Sequence, residues 1–319
     1  MPGGMAKRIL GALAALVALS ACVGAADSPA ERVRDALASV RFVAYTPRGF
    51  DPNVGSEPVS RAAIRADLLL LRASFDGLVT YSSARGLDAV PAVARELGYR
   101  AVVLGVWDPS SADELSRAFA SARAEREVVL ALALGNEGLF FRRYDAAALA
   151  RAFTRARGEA PGVAVTTTEP FSSYLEPARA AELPVQDFAL PTVHPIDQPW
   201  FATAPPGTGV DFVVNVVREL EQRTGLAVLV KETGVPSGPS TLGFSDAAQA
   251  AFWVALDAKL APTRAHAIAR FEAFDAPWKT AAVAAQTGDV RPTEAHWGFF
   301  RADGSAKPVV AAIASAAAR

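Results

Sequence analysis

Hydrophobic residues fall into eight short runs along the chain, separated by longer amphipathic stretches. Each run is continuous or nearly so, which is typical of parallel strands that are buried on both faces. The stretches between the runs repeat their apolar residues at helical spacing. The pattern therefore predicts strands at residues 41–45, 77–81, 101–107, 128–134, 162–166, 188–193, 226–230 and 267–271.

The amphipathic stretches predict helices that alternate with these strands. Residues that cap helix N-termini stand at several helix starts, among them Ser60, Asp113, Asp145 and Ser245. Eight strands alternating with helices over about 270 residues favour a closed (β/α)8 TIM barrel forming a single domain. An open doubly wound sheet usually has a glycine-rich first turn, which this sequence lacks. The predicted helices are 61–73, 87–97, 112–126, 146–157, 211–223 and 306–317.

The N-terminal segment has the features of an export signal. Lys7 and Arg8 precede a short apolar run that is followed by Leu-Ser-Ala-Cys at 19–22, which resembles a bacterial lipobox. We expect a signal peptide at 1–22, lipidation at Cys22, a linker or helix at 23–40 and the barrel at 41–319. Cleavage near Ala26 by the general signal peptidase is the alternative. Either route predicts an exported protein, and lipidation would anchor it to a membrane facing the periplasm or the cell exterior.

Composition excludes several functional classes. The chain is 51% hydrophobic and 20% charged, with a net charge of -1, so it is neither disordered nor basic enough to favour nucleic acid. Cys22 is the only cysteine, which excludes an intrachain disulfide. The three histidines do not stand at metal-ligand spacings, so we expect no metal and no cofactor. We expect a monomer.

Acidic and aromatic residues follow the predicted strands, at the end of the barrel where active sites form. Glu137 and Glu232 follow the fourth and seventh strands and are 95 positions apart, about three βα units of a barrel. Retaining hydrolysis of a glycoside requires two carboxyl groups about 5–5.5 Å apart, which opposed strand ends can supply. Asn136 is well placed to bond the 2-hydroxyl of a sugar. The other residues at these ends are Tyr45, Tyr81, Trp107, Glu169, His194, Glu272 and Asp275.

Five motifs in these positions resemble glycoside hydrolase family 17, in particular its bacterial and fungal β-1,3-glucanase and glucanosyltransferase branch. The resemblance runs in order from about residue 41 to residue 308. One position departs from it, because the family commonly has tryptophan where this chain has Val235; we expect weaker sugar stacking there. The motifs are LGNE at 134–137, TEP at 168–170, KETGVPS at 231–237, FEAFDAPWK at 271–279 and HWGFF at 296–300.

The resemblance implies a retaining mechanism on a (β/α)8 barrel that acts on β-1,3-glucan oligosaccharides or polysaccharides. It implies that Glu137, preceded by Asn136, is the general acid/base and that Glu232 is the nucleophile. It also implies that Glu272 and Lys279 form hydrogen bonds around the nucleophile and the sugar.

The remaining candidates are substrate-binding residues with structural alternatives. We expect Glu169 to orient the site through hydrogen bonds, and His194 to bind a hydroxyl group or a carboxylate, or to pack in the core. If the strand continues, Lys231 points to the opposite face from Glu232, so we expect a structural role for it. Sugar stacking or core packing is expected for Trp107, Trp200 and Trp278, and sugar contacts for Tyr45, Tyr81 and Asp275.

Three other functions are compatible with the sequence. Transfer of a glucosyl chain to a sugar acceptor would use the same two glutamates. A sugar-binding lipoprotein without turnover would bind glucan and release no reducing ends. A metal-dependent barrel hydrolase would lose activity on chelation.

Overall fold

Seven short parallel strands alternate with helices in the computed structural model, which describes residues 28–317. They confirm seven of the eight predicted strands, to within a few residues at each end. The predicted signal peptide and Cys22 lie outside the described residues. The strands are β1 (Phe42–Ala44), β2 (Gly77–Val79), β3 (Ala101–Val106), β4 (Val129–Asn136), β5 (Ala164–Thr168), β6 (Val228–Val230) and β7 (His266–Ile268).

Eleven helices are present within residues 28–317, and none is long and apolar enough to cross a bilayer. Ser60, Asp145 and Ser245 cap helices as predicted, each accepting a bond from a backbone amide. Asp113 does not cap a helix, because helix α4 (Ala112–Ala124) begins one residue before it, and Ser111 is the capping residue. The helices are α1 (Pro29–Ser39), α2 (Arg61–Leu71), α3 (Val90–Glu96), α4 (Ala112–Ala124), α5 (Ala146–Glu159), α6 (Phe171–Leu175), α7 (Pro177–Ala180), α8 (Thr208–Thr224), α9 (Asp246–Lys259), α10 (Lys279–Thr287) and α11 (Pro308–Ala317).

The strands form a central five-stranded parallel sheet in the order β1-β2-β3-β4-β5, and β6 pairs in parallel with β7. This arrangement confirms an α/β fold with flanking helices. The β4–β5 register shifts between Ala133 and Asn136, just before the end of β4. Because the strands within each sheet are parallel, their C-terminal ends lie at the same edge of that sheet.

Residues 188–193, predicted as a strand, do not form a continuous one. Pro191 has no amide hydrogen to contribute to a ladder. The segment instead makes isolated parallel bridges, Ala189 with Val228 and Thr192 with both Pro170 and Glu232. It therefore connects the end of β5 to β6 and carries its own side chains to the same side as the strand ends.

A similar contact joins the last strand to the first. Arg270, just after β7, accepts a bond from the Ala44 amide at 3.0 Å and donates its own amide to Phe42 at 2.9 Å. Val43 and Arg270 form a parallel bridge. The two edges of the five-stranded sheet are thus both bonded to later parts of the chain.

Strand residues alternate between two hydrophobic clusters. Val228 and Val230 belong to the larger cluster, which includes residues of the surrounding helices, whereas Ala227 and Leu229 belong to a smaller one. The smaller cluster gathers alternate residues of successive strands with Val33 and Leu37 of α1. Helix α1, inside the predicted linker, therefore packs against the interior of the strand assembly.

Candidate active site

Glu137 follows β4 in a constrained turn. Its φ angle is 54°, a left-handed conformation that is uncommon for a residue with a side chain and is often found at functional sites. Its amide donates to the Thr168 carbonyl at the end of β5. Gly135 and Gly138 flank it, and a Cβ at either position would overlap the ring of Tyr144. The glycines and the packed tyrosine hold the Glu137 backbone in place.

The Glu137 carboxyl group is half-buried and has one close protein partner. Thr192 Oγ1 lies 2.6 Å from Glu137 Oε1 and donates to it. Thr192 is 2% exposed, and its own backbone bonds to Glu169 and Phe171. The interrupted segment after β5 therefore positions the side chain of Glu137.

Glu232 lies two residues after the end of β6 and is 8% exposed. Its Oε2 is 3.5 Å from Nε2 of His194, two residues beyond Thr192. The His194 ring packs edge-on against Phe271 and Trp297, with ring centroids 5.4 Å from each. His194 thus contacts a carboxylate, as one of its predicted roles required, and one short segment holds both glutamates.

Lys231 and Asn136, the residues that precede the two glutamates, bond to each other. Lys231 Nζ donates to Asn136 Oδ1 at 2.7 Å, and both side chains are buried. The prediction that Lys231 points away from the site was wrong. Ala227 and Leu229 face the interior, and Lys231 continues that alternation, whereas Glu232 is the residue that departs from it after β6 has ended.

The two glutamates have opposite shifts in pKa. Burial raises the pKa of Glu137, and the negative charge of Glu232 raises it further. Burial also opposes ionisation of Glu232, but the contact with His194 and the charges of Lys231 and Lys279 outweigh it and lower that pKa. The pair is therefore polarised into a proton-holding Glu137 and an ionised Glu232, the division that an acid and a nucleophile need.

This polarisation predicts a bell-shaped dependence of kcat/KM on pH. If Glu137 is the acid and Glu232 the nucleophile, as the sequence predicts, the reactive form has Glu232 ionised and Glu137 protonated. Activity should then fall at low pH through the lowered pKa of Glu232. It should fall at high pH through the raised pKa of Glu137. The profile should be measured with an aryl β-laminaribioside from about pH 3 to 9. A high-pH limb at the ordinary glutamate pKa of 4.5 would contradict the assignment.

Glu169 lies beneath the loop that follows Glu137. Its carboxylate is fully buried and accepts bonds from the amides of Leu139 at 3.0 Å and Phe140 at 3.1 Å. Burial is the main reason that its pKa rises to about 7. The contacts match the expected orienting role, and the prediction that Glu169 also contacts substrate is corrected, because its side chain is 0% exposed.

Glu272 and Lys279 form a buried ion pair. Lys279 Nζ donates to Glu272 Oε2 at 2.6 Å. Burial raises the pKa of Glu272 to about 7 against the opposing charge of Lys279. Glu272 also lines a cavity of about 300 Å³ together with Asp275 and Trp278. The charge of Lys279 lowers the pKa of Glu232, and the charge of Glu232 raises that of Glu272, so this ion pair lies near the second glutamate, as predicted. Glu232 is not among the residues that line the cavity, so the sugar contact of Trp278 stays a prediction.

Asp275 is held mainly by structural contacts. Its Oδ1 accepts from Lys307 Nζ at 2.6 Å and from the Gly298 amide at 3.0 Å. Lys307, which precedes α11, is fully buried and also donates to Ser237. Asp275 thus connects the C-terminal segment to the loop after β6. Only its Oδ2 atom remains available for the predicted sugar contact.

Tyr45 does not face the site, contrary to prediction. It is 1% exposed, and its hydroxyl donates to Asp67 on α2 at 3.2 Å. Tyr45 belongs to the larger cluster with Val43, whereas Ala44 packs with Phe271 and Trp297. Strand alternation therefore turns Tyr45 outward onto the helices.

Tyr81, by contrast, lies within the site. Lys231 Nζ is 4.0 Å from the centroid of its ring, a cation–π contact. Burial raises the pKa of its hydroxyl, as do the charges of Glu232 and Glu272. Its predicted position beside the substrate is consistent with this geometry.

The tryptophans occupy different positions. Trp107 is 40% exposed, and the Arg143 guanidinium lies 4.2 Å from its ring centroid. Arg143 also donates to the Asn136 carbonyl, which links Trp107 to the backbone beside Glu137. Trp200 packs on Phe212 of α8 with ring centroids 5.4 Å apart, so packing accounts for its position.

Val235 is 7% exposed and belongs to the larger hydrophobic cluster. It follows Gly234, whose φ angle of 135° turns the chain just after Glu232. The side chain at this position faces the core. The expectation that valine here weakens sugar stacking is therefore not supported by its placement.

Sequence reasoning missed four residues that the structure brings to the site. Thr192 follows a prolyl break in an apolar run, and nothing in the pattern distinguished it. Burial raises the pKa of Glu294, which the charges of Lys279 and His194 lower, so it lies near both. The other two are Tyr144 and Arg143, whose only signal is their closeness in sequence to Glu137.

Within residues 28–317, no cluster of His, Cys, Asp and Glu is arranged to hold a metal.

Comparison with known proteins gives the family. The sequence model of the BtgE/BtgC glycoside hydrolase domain matches residues 43–298, most of the chain and all the residues of the site. The chain belongs to the BtgE/BtgC glycoside hydrolase domain family. The glycoside hydrolase prediction is thereby confirmed at the level of the family. A search of proteins with curated functions finds no match.

Solved structures similar to this BtgE/BtgC domain share its fold at low sequence identity. An endo-laminarinase from Formosa aligns with a TM-score of 0.64 and 18% identity, over 86% of each chain. An active-site mutant of the Rhizomucor miehei β-1,3-glucanosyltransferase in complex with laminaritriose aligns at 0.62 and 20%, over 84% of this chain and 96% of that one. The GH5_18 protein from Streptomyces cattleya in complex with GlcNAc aligns at 0.59 and 19%, over 88% and 81%.

Proposed function

We propose that this protein is a retaining β-1,3-glucanase or β-1,3-glucanosyltransferase of the family 17 type. The observation that carries the proposal is the double link between the two glutamates. Their preceding residues Asn136 and Lys231 are bonded at 2.7 Å, and Thr192 and His194 of one segment contact the two carboxyl groups. Such links favour the short carboxyl separation, about 5–5.5 Å, that retention requires.

The same proposal includes a closed (β/α)8 barrel. Residues 188–193 would be its sixth strand. Asp187, which precedes them, donates to Val165 of β5, and Ala189 accepts from Leu229 of β6. The Arg270 bonds to β1 would close the ring. Glu137 and Glu232 would then face each other across the C-terminal mouth, where barrel enzymes carry out their chemistry.

The proposed reaction has two steps. In the first, Glu137 donates its proton to the glycosidic oxygen as that bond to the anomeric carbon breaks, and Glu232 attacks the carbon to form an ester. In the second, Glu137 takes a proton from water or from an acceptor hydroxyl, whose oxygen attacks the carbon and releases Glu232. Once Glu232 is esterified its charge is gone, so the pKa of Glu137 should fall and suit it to act as a base.

Unpartnered polar atoms lie near Glu232 and support a polar substrate. Within residues 28–317, His194 Nδ1, Glu272 Oε1 and Trp297 Nε1 are buried and have no hydrogen-bond partner. His194 contacts Glu232, Trp297 packs on His194, and the charge of Glu232 raises the pKa of Glu272. Buried polar groups without partners are costly, and sugar hydroxyl groups can both donate to and accept from such atoms.

Incubation with laminari-oligosaccharides of defined length should yield shorter products with the β-configuration at the new reducing end. The products should be separated by chromatography, and their configuration read by NMR before the anomers equilibrate. Products longer than the substrate would identify the glucanosyltransferase. Parallel assays on β-1,6- and β-1,4-glucans should give lower rates. Glucan binding without any cleavage or transfer would contradict the proposal and favour a sugar-binding protein.

A further inference from the structure

Lys231 is a buried cation whose charge lowers the pKa of Glu232 but which neither donates the proton nor forms the ester in the two-glutamate reaction. It is 1% exposed, and its amine makes a hydrogen bond with Asn136 Oδ1 at 2.7 Å. Burial lowers its pKa to about 8, against the charges of Glu232 and Glu137. Removing an ammonium group from water costs several kcal/mol unless its partners compensate. A cation kept at that cost beside the reacting carboxyl groups points to a role in the site.

The hydrogen bond fixes which way the Asn136 amide faces. A lysine ammonium group can donate but has no lone pair with which to accept. The amide atom that faces Lys231 must therefore be the oxygen. The donor chemistry of the lysine thus decides the orientation of the Asn136 amide. The amino group Nδ2, which can only donate, is left for the substrate.

Tyr81 makes a second contact with the lysine. The amine lies 4.0 Å from the centroid of the Tyr81 ring, within the range of a cation–π interaction. Lys231 therefore contacts both an aromatic ring and an amide oxygen. A neutral apolar side chain in the same volume would make neither interaction, and the Asn136 amide would be free to rotate.

We propose that Lys231 is a positioning residue that fixes Asn136 as a hydrogen-bond donor to the 2-hydroxyl of the sugar at the cleavage point. The proposal rests on the proposed glycosidase function. A 2-hydroxyl that accepts from Asn136 keeps its own proton, which it can donate to a Glu232 oxygen. If the amide were reversed, the hydroxyl would donate its hydrogen bond to the Asn136 oxygen and could not donate it to Glu232.

The test compares two aryl β-laminaribiosides, one complete and one lacking the 2-hydroxyl on the ring that carries the aryl group. Contacts to the 2-hydroxyl strengthen in the transition state, so the wild type should cleave the 2-deoxy substrate at least about 100-fold more slowly. Lys231→Met should lose about 100-fold in kcat/KM on the complete substrate and less than about 3-fold on the 2-deoxy one. Lys231→Arg, which can still donate, should keep most of the discrimination.

Further variants separate positioning from folding. Asn136→Ala alone should remove the discrimination, and adding Lys231→Met to it should have little further effect on either substrate. If Lys231→Met does not fold, Lys231→Gln retains a donor and should give an intermediate discrimination. Lys259→Met, which breaks an exposed ion pair with Asp211, is the control and should match wild type.

The outcomes distinguish the two proposals. Equal losses on both substrates in a folded Lys231→Met variant would overturn the positioning role, and so would a wild type that does not discriminate between them. A wild-type protein that cleaves neither substrate nor laminarin would instead overturn the proposed function.

Discussion

Replacing Glu232 with glutamine should lower kcat on laminarin by about 10⁵-fold, the scale of loss seen when a covalent nucleophile is removed. Glutamine has nearly the same shape as glutamate but is a much weaker nucleophile, so the glycosyl ester cannot form at a useful rate. Glu232 is 8% exposed and contacts His194, and the isosteric change leaves that packing in place. The thermal unfolding midpoint should therefore stay close to that of wild type.

Covalent trapping makes this prediction specific to the nucleophile. A 2-deoxy-2-fluoro laminaribiosyl fluoride should form a lasting ester with the wild type, because fluorine at C2 slows breakdown of the intermediate, while fluoride leaves from C1. Mass spectrometry of peptides should place the added mass on Glu232. Glu219→Gln, on the exposed face of α8, is the matched control and should keep full activity and labelling. Activity of the Glu232→Gln variant above about a tenth of wild type, or label on another residue, would contradict the assignment.

Periodicity of the sequence predicts which end of each strand carries the chemistry. The apolar runs identify seven strands, and parallel strands bring their C-terminal ends together. Asn136, Glu137, Glu232 and Glu272 follow such runs. The bond between Asn136 and Lys231 and the contacts of Thr192 and His194 bring the first three together, and the charge of Glu232 raises the pKa of Glu272. The large-scale placement of the candidate site could be predicted because it depends only on strand order and direction.

The direction of individual side chains could not be predicted at the strand ends. Alternation holds inside a strand but fails where it ends or bulges. The β4 register shifts between Ala133 and Asn136, and β6 ends two residues before Glu232. Strict alternation from Glu232 therefore wrongly predicted that Lys231 points away from the site, whereas it bonds to Asn136 within it.

The prediction for Tyr45 failed for a different reason. Its side chain follows the alternation of the strand, and the sugar contact was predicted only because the residue is aromatic and stands at a strand end. It is turned onto Asp67, and no substrate-facing role follows from its position at a strand end. Thr192 was invisible for another reason. Its importance comes from a 2.6 Å bond to a residue 55 positions away, and only the folded chain shows such a contact.

Replacing Glu137 with alanine should produce a loss that depends on the leaving group. On laminarin, whose departing sugar needs a proton, kcat/KM should fall by about 10³- to 10⁴-fold. On 2,4-dinitrophenyl β-laminaribioside, whose leaving group is stable as an anion, the first step should proceed at nearly the wild-type rate. The second step should be slow in both cases, since no base activates water, and a burst of dinitrophenol should mark the accumulated ester.

Azide provides the decisive measurement for this variant. It is a nucleophile that needs no general base, and the space left by the Glu137 side chain lies beside Thr192, whose hydroxyl loses its acceptor. Azide should therefore restore turnover of the dinitrophenyl substrate and yield a glycosyl azide of the β-configuration, as two successive inversions require. Glu169→Gln is the matched comparison, because that carboxylate bonds the Leu139 and Phe140 amides, and its loss should lower activity without any azide rescue. An α-configured azide, or rescue of both variants alike, would mean that the acid/base is not Glu137 or that the reaction does not proceed through an ester on the opposite face.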